Sequence, residues 1–208
     1  EELLGEAKPE VIYNTATGFT ADTFEQVTAA DPTQIIAVNQ AVDARTKGSL
    51  EEIAPTTVKP NGYEDWQVPW EKQVETIADA VGKENEGDKL IDDTEKAFEE
   101  FRHEHAELQD KSAAIVMPYD GKIGLYTEED GRGQFIEDLG MEIPDALQGD
   151  GGSFFVDIAP ENYAKLNQVD YLFVLDYNGS SDALKKDKTF QGLDVVKAVS
   201  YTRLTLPT

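Results

Sequence analysis

The amino-acid sequence predicts an α/β protein in which two Rossmann-like lobes are joined by a single long α-helix and the first lobe is incomplete. Three observations favour this fold class. Short apolar runs alternate with amphipathic segments along most of the chain, as strands and helices do in α/β domains. An unusually long helical segment lies near the middle. The part before it offers only one or two strands, too few for a sheet that is stable alone.

The long helical segment follows an aromatic cluster that contains both tryptophans of the chain, Trp66 and Trp70. Apolar residues recur at helical spacing over two stretches, residues 70–81 and residues 84–109. At the helical rise of 1.5 Å per residue the second stretch would be about 39 Å long. The average globular helix has only about 11–12 residues, so this stretch predicts a bridge between two lobes.

Before the bridge the sequence indicates little regular structure. Residues 11–14 form a short apolar run typical of a buried strand, and Thr20 is placed to cap a helix. Residues 34–44 alternate poorly and are predicted to be more helical than extended. Residues 50–53 indicate a short helix, and residues 56–58 indicate a strand.

After the bridge the alternation becomes regular. Strands are predicted at residues 113–117, 122–126, 154–158 and 171–177. Helices are predicted between them at residues 132–139, 160–167 and 181–186, and the glycine-rich residues 149–152 indicate a flexible loop. This order of elements favours sheets that are largely parallel.

These elements predict the boundaries of the parts of the chain. Residues 1–68 would be the C-terminal part of a truncated N-lobe, residues 69–110 a helical region with the linker helix, and residues 111–198 the C-lobe. The tail 199–208 fits no packed element and is interpreted as non-native sequence. The chain also begins with Glu1 rather than Met, which is typical of a processed or truncated product.

The composition excludes several classes of function. The 208 residues include 42 acidic and 18 basic side chains, which gives a net charge of −24. Such a surface disfavours nucleic acid, whose phosphates need Lys and Arg to displace counterions, and disfavours anionic membranes; it suits solubility and is compatible with high salt. Cysteine is absent, so disulfides, thiolate catalysis and Cys-ligated zinc are excluded. No apolar run approaches the roughly 20 residues of a membrane span, and no signal peptide is visible.

Several short motifs occur in a fixed order around the long helix. They are Lys8-Pro9-Glu10-Val11-Ile12 with Gly18, Ile53-Ala54-Pro55-Thr56, Gly62-Tyr63-Glu64-Asp65-Trp66, Asp130-Gly131-Arg132-Gly133 and Leu193-Asp194-Val195-Val196. Each motif alone is weak, but their order and spacing are specific. From residue 1 to about residue 198 the chain resembles the substrate-binding proteins of iron–siderophore ABC transporters, which are periplasmic-binding-protein-like molecules of class III with a helical backbone.

The resemblance implies a set of functional properties. Two α/β lobes on a rigid helix would hold a ferric siderophore in the cleft between them. The protein would be extracytoplasmic, either lipid-anchored to the cell membrane or periplasmic, and would dock as a monomer onto the permease of an ABC transporter. No cofactor is expected, because iron would arrive only as part of the ferric siderophore.

A ferric siderophore is bulky, so its site needs broad aromatic walls and a few fixed donors. Because the siderophore saturates its iron, no protein metal ligand and no catalytic residue is expected. Loops that follow strand ends are where open α/β sheets bind ligands, and an arginine there offers a charge-assisted fork to a ligand oxygen. The candidate ligand-binding residues are Gly18 and Phe19, which follow from the resemblance, and Tyr63, Trp66, Tyr119, Tyr126, Arg132, Phe154, Tyr177 and Asn178.

Other functions stay open as alternatives. Within the same family the ligand could be cobalamin or haem. From another class, the chain could be a fragment of a doubly wound α/β enzyme, although the lack of cysteine argues against an enzyme that holds a metal cluster through thiolates. A purely structural α/β module is a third alternative. His103 and His105 do not indicate a metal site, because positions i and i+2 of a helix point to different faces.

Overall fold

The computed structural model describes residues 18–177, 179–198 and, for the main chain only, 201–205. Its helices are α1 (Ala21–Ala29), α2 (Ala44–Glu51), α3 (Trp70–Val81), α4 (Glu84–Glu104), α5 (Gly131–Asp138), α6 (Asp182–Lys186), α7 (Lys188–Gln191) and α8 (Asp194–Lys197). Its strands are β1 (Ile35–Ala37), β2 (Thr56–Val58), β3 (Ala113–Tyr119), β4 (Lys122–Tyr126), β5 (Phe155–Ile158), β6 (Tyr171–Asp176) and β7 (Tyr201–Thr205). Short 3-10 helices occupy Ala106–Leu108, Asp145–Leu147 and Pro160–Gln168. The strand predicted at residues 11–14 and the motif at residues 8–12 lie outside the described residues.

The first sheet consists of β1 and β2, which pair in parallel. Thr20 caps α1 as predicted, because its side chain accepts from the amide of Thr23. The prediction that residues 34–44 are helical was wrong, since they contain β1. The branched side chains there favour an extended backbone, and pairing with β2 completes the strand. The helix predicted at residues 50–53 begins earlier, at α2, because the Asp43 carboxylate accepts from the Thr46 amide at 2.7 Å.

Helices α3 and α4 carry the chain from the first sheet to the second. α3 ends at Gly82, which adopts the left-handed conformation at φ 66°. Gly87 of α4 lies against Ala78 of α3 so closely that a Cβ on Gly87 would meet the Ala78 Cβ at 2.5 Å. α4 has 21 residues, or about 31 Å of helix, and is shorter than the predicted 84–109. A change of backbone direction at His105 ends it before the 3-10 turn.

The second sheet has five strands in the order β5-β4-β3-β6-β7. β3, β6 and β7 are parallel, whereas β4 runs antiparallel to both β3 and β5. The prediction of largely parallel sheets was therefore wrong for β4 alone among these five strands. Its cause is local: Asp120 and Gly121 both have positive φ, 49° and 76°, and an Asp-Gly pair of this kind makes the tight hairpin that joins antiparallel strands.

The tail of the chain also differs from its prediction. Residues 199–208 were expected to form no packed element, but β7 extends the sheet, with Tyr201 paired to Leu172 and Thr205 to Asp176. Whether the tail is native sequence stays a prediction. No helix in the described part of the chain combines the length and the apolarity that a membrane span requires.

Both faces of the five-stranded sheet are buried. One face packs Leu125, Leu172 and Val174 against Leu166 and Phe190 from the helices behind them. The opposite face carries a second cluster that includes Ile115, Tyr126 and Ile136 of α5. The candidate site lies at the edge of this second face.

Candidate ligand-binding site

The loop between β4 and α5 holds the most organised group of side chains among the candidates. Asp130 caps α5: one of its oxygens accepts from the Arg132 amide at 2.8 Å. The Arg132 Nη1 donates to both oxygens of the same carboxylate, at 2.8 and 2.9 Å. Its guanidinium lies 4.0 Å from the centre of the Tyr126 ring. The arginine is thus fixed by a salt bridge on one side and a cation–π contact on the other.

Burial differs sharply across this pair. The Asp130 side chain is 5% exposed and the Arg132 side chain is 48% exposed. Burial raises the pKa of the Asp130 carboxyl, against the opposing effect of the Arg132 guanidinium. Burial also raises the pKa of the Tyr126 hydroxyl. The site therefore presents the outer half of a guanidinium to solvent while its counter-ion stays inside.

Phe155 joins the aromatic candidates into one row on the sheet. Its ring centroid lies 5.1 Å from that of Tyr126, 6.1 Å from that of Phe154 and 5.5 Å from that of Tyr119. The Phe155 ring covers Gly124 so closely that any Cβ there would overlap it. A glycine at position 124 is what allows the phenyl ring to lie flat across the strand.

Residues 63–67, called here the Trp66 segment, approach this site from the part of the chain before α3. Gln67 donates from Nε2 to the carbonyl of Gly152 at 3.0 Å, and the neighbouring Ser153 carbonyl accepts from the Thr127 hydroxyl. Trp66 has φ 69°, a conformation that costs a non-glycine residue about 1–3 kcal/mol and that clusters at ligand clamps. These contacts bring the Trp66 segment next to the loop that borders Tyr126.

Trp70 has a structural role in this arrangement. Its Nε1 donates to the Asp138 carboxylate at 3.2 Å, and its ring packs 6.2 Å from that of Phe98, which in turn lies 5.9 Å from Phe135. Arg102 of α4 donates to the Asp138 carbonyl. Together these contacts tie α3 and α4 to α5.

The remaining candidates lie further from Arg132. Tyr119 occupies the far end of the aromatic row, at the carboxyl end of β3: its ring packs on that of Phe155, its hydroxyl donates to Asp157 and Lys122 lies over its ring. Tyr177 directly follows β6 at that same end and is 57% exposed. Phe19 stacks on Phe24 at 5.8 Å, and no ring contact or hydrogen bond within the described residues links it to the second sheet.

Three further candidates complete the set. Gly18 has φ 87° at the start of the described chain, and Tyr63 is half-buried in the segment before α3. Asn178 lies outside the described residues. The structure therefore brings Tyr126, Arg132 and Phe154 together, links Tyr119 to them through Phe155, and places Gln67, the neighbour of Trp66, against the adjoining loop.

Comparison with known proteins identifies the family. The family model described as periplasmic binding protein matches residues 6–200. The chain belongs to this family. No curated protein sequence matches this periplasmic binding protein, whereas 96 chains of known structure do.

Solved structures similar to this periplasmic binding protein include siderophore-binding and iron-uptake proteins. PiaA of Streptococcus pneumoniae, an iron uptake ABC transporter substrate-binding protein, is 26% identical with a TM-score of 0.72, over 89% of this chain and 65% of that chain. PiaA in complex with ferrichrome is 25% identical with a TM-score of 0.71, over 88% of this chain and 62% of that chain. The chain thus spans less than two thirds of the length of PiaA.

A more distant structure shows the same fold. FhuD2 of Staphylococcus aureus, with bound ferrioxamine B, is 19% identical with a TM-score of 0.72, over 89% of this chain and 71% of that chain. The α/β fold class is confirmed by these matches, and the predicted resemblance by the family model and PiaA; the division into lobes stays a prediction.

Sequence reasoning missed three contributors to the site of this periplasmic binding protein. Asp130 carried a usable signal, because an Asp directly before a predicted helix is a preferred cap. Phe155 was predicted only as part of a strand, and its contact with three other rings depends on Gly124 across the pair of strands. Gln67 carried no sequence signal, since its bond to Gly152 spans 85 residues.

The same part of the structure contains no evident metal centre. Within the described ranges, no three His, Asp or Glu side chains lie close enough together to hold a metal ion.

Proposed function

We propose that this periplasmic binding protein captures a ferric siderophore outside the cytoplasm and delivers it to the permease of an ABC transporter. The observation that carries the proposal is the half-exposed guanidinium of Arg132, held 4.0 Å over Tyr126 beside a row of aromatic rings. Broad apolar walls with one fixed charged donor suit a bulky complex whose metal is already saturated.

The geometry supports a specific binding mode. Among the guanidinium nitrogens of Arg132, only Nη1 donates a hydrogen bond to a described residue. The hydrogens on Nη2 and Nε can therefore donate to a siderophore oxygen. Tyr126 and Phe154 would contact the organic face of the complex, and Trp66 would close the cleft from the first lobe. The iron would touch no protein atom.

The finer properties follow the family. The protein would act without catalysis, cofactor or resident metal, as a monomer that is lipid-anchored or periplasmic. Tyr119 would extend the aromatic wall through its contact with Phe155, whereas Tyr177, Asn178, Gly18 and Phe19 stay predicted contacts. Tyr63 would contribute to the wall formed by the Trp66 segment.

Tryptophan fluorescence tests the proposal, using the protein expressed from its complete gene. Ferrichrome or ferrioxamine B should quench the emission saturably, whereas the iron-free siderophores should have a much weaker effect. Cobalamin and haem serve as the competing ligands. Saturable binding of either of these, with no response to any ferric hydroxamate or catecholate, would replace the proposed function.

A further inference from the structure

We propose that Asp130 determines the charge of the ligand that this site accepts. The site would favour a ferric complex of zero or positive charge, such as a trihydroxamate, over the triply negative complex that iron forms with three catecholates. This inference rests on the proposed function and adds the chemical class of its substrate. It assigns Asp130 as a positioning residue that acts through Arg132.

Several hydrogen bonds fix the contact between the Asp130 and Arg132 side chains. Both carboxylate oxygens accept from Nη1 of Arg132, at 2.8 and 2.9 Å, and one of them also accepts the Arg132 amide. The Asp130 side chain is 5% exposed, so it has no room to turn towards solvent. Arg132 consequently enters any complex with its charge already matched, as a directional donor rather than as a net positive charge.

The surroundings add negative charge to this neutral pair. The adjacent cavity has a volume of about 280 Å³ and is lined by Glu128, Glu129, Asp145 and Asp150, with no basic side chain in its lining. Lys122 is at the far end of the sheet and forms an ion pair with Asp157. In the described lining of this cavity a trianionic ligand would therefore meet like charges and no basic side chain, and like-charge contacts are the usual means of rejecting a wrong partner.

The test compares the affinities of two complexes for the protein expressed from its complete gene. The probes are ferrichrome, which is neutral, and ferric enterobactin, which is a tris-catecholate trianion. The wild type should bind ferrichrome more tightly. Asp130→Asn keeps an oxygen that can cap α5 but removes the charge, so the affinity ratio should shift towards ferric enterobactin by about tenfold or more.

Two other substitutions separate charge from structure. Asp130→Ser also preserves a capping oxygen and should shift the ratio in the same direction, which keeps the test decisive if one variant folds poorly. Asp93→Asn removes one ion-paired carboxylate from the exposed surface of α4 and should leave the ratio unchanged. An equal shift in Asp93→Asn would assign the effect to net charge and overturn the role of Asp130.

The remaining outcomes are equally clear. Two Asp130 variants that bind both complexes with the wild-type ratio would overturn this inference and leave the proposed function intact. A wild type that prefers ferric enterobactin would do the same. A wild type that binds neither complex, nor any other ferric siderophore, would remove the proposed function and this inference with it.

Discussion

The Asp130 carboxylate is almost completely buried, and its charge is matched by the guanidinium of the half-exposed Arg132. A buried carboxylate is tolerated when it is paired and hydrogen-bonded, and removing its partner leaves an uncompensated charge inside the protein. The cation–π contact with Tyr126 adds a second constraint on the guanidinium. At the scale of single residues, the site is therefore preorganised by a polar pair whose members cannot be changed independently.

Arg132→Ala should destabilise the protein by about 1–3 kcal/mol, because it leaves the Asp130 carboxylate buried without its partner. Adding Asp130→Asn in the Arg132→Ala background should recover part of that loss, since the buried charge is then gone. Urea denaturation of the two single variants and the double variant measures this coupling. Strictly additive losses would show that the pair is not coupled.

At the scale of elements, α3 and α4 form the support on which the cleft depends. They meet at Gly87, where the backbone of α4 approaches Ala78 too closely for a side chain. Further along, Trp70 and Arg102 both hold Asp138 at the end of α5. The position of α5, and with it that of Arg132, is set by these contacts.

Gly87→Ala should destabilise the protein by about 1–2 kcal/mol, because overpacking at Ala78 outweighs the gain in helix propensity. Gly48→Ala is the matched control: Gly48 lies in α2 with no atom within 4 Å of the added Cβ. It should stabilise by about 0.5–1 kcal/mol. Chemical denaturation of both variants is the measurement, and a stabilised Gly87→Ala would refute the close approach.

The contact between α3 and α5 predicts a pH dependence. Burial raises the pKa of Asp138, although the Trp70 hydrogen bond and the Arg102 charge oppose the shift. Because the folded state then holds this proton more tightly than the unfolded chain, the free energy of unfolding should fall as pH rises above about 4, the ordinary value. Asp138→Asn should flatten that slope while its amide oxygen still accepts from Trp70.

A control of opposite sign accompanies this prediction. The hydrogen bond from Lys89 lowers the pKa of Asp93, so its contribution is present above the ordinary pKa and is lost as pH falls through the folded value. Asp93→Asn should leave the slope between pH 4.5 and 7 unchanged. Denaturation series across this range would contradict the account if Asp138→Asn retained the full wild-type slope.

The sequence predicted most elements of the second sheet, because strands such as β3 and β6 are continuous apolar runs. It did not predict the antiparallel direction of β4, although Asp120-Gly121 carried the hairpin signal. Tyr126 and Arg132 could be chosen from their places at a strand end and a helix start. Their contact could not, because it depends on how the loop folds back over the sheet.

At the scale of the whole molecule, charge is the dominant feature. The excess of 42 acidic over 18 basic side chains gives a net charge of −24, and repulsion among such charges opposes the compact state. The ion pairs on the surface are mostly isolated pairs between neighbours on one helix, which contribute little to stability.

Raising NaCl from 0.1 to 1 M shortens the screening length from about 10 to about 3 Å, so the melting temperature should rise by several degrees. Differential scanning calorimetry at constant pH measures the change. Uncharged sucrose at matched osmolality separates screening from general solute exclusion. A melting temperature that falls with salt would show that favourable ion pairs outweigh the repulsion.

The central claim is that a ferric siderophore binds between the Trp66 segment and the Tyr126–Arg132 face. The most direct measurement is the anomalous diffraction signal of iron in crystals of the complete protein grown with ferrichrome. The account predicts one iron site between Trp66 and Arg132, separated from both only by siderophore atoms. An iron site beside Tyr177 and away from Arg132, or iron bound directly to protein side chains, would contradict it.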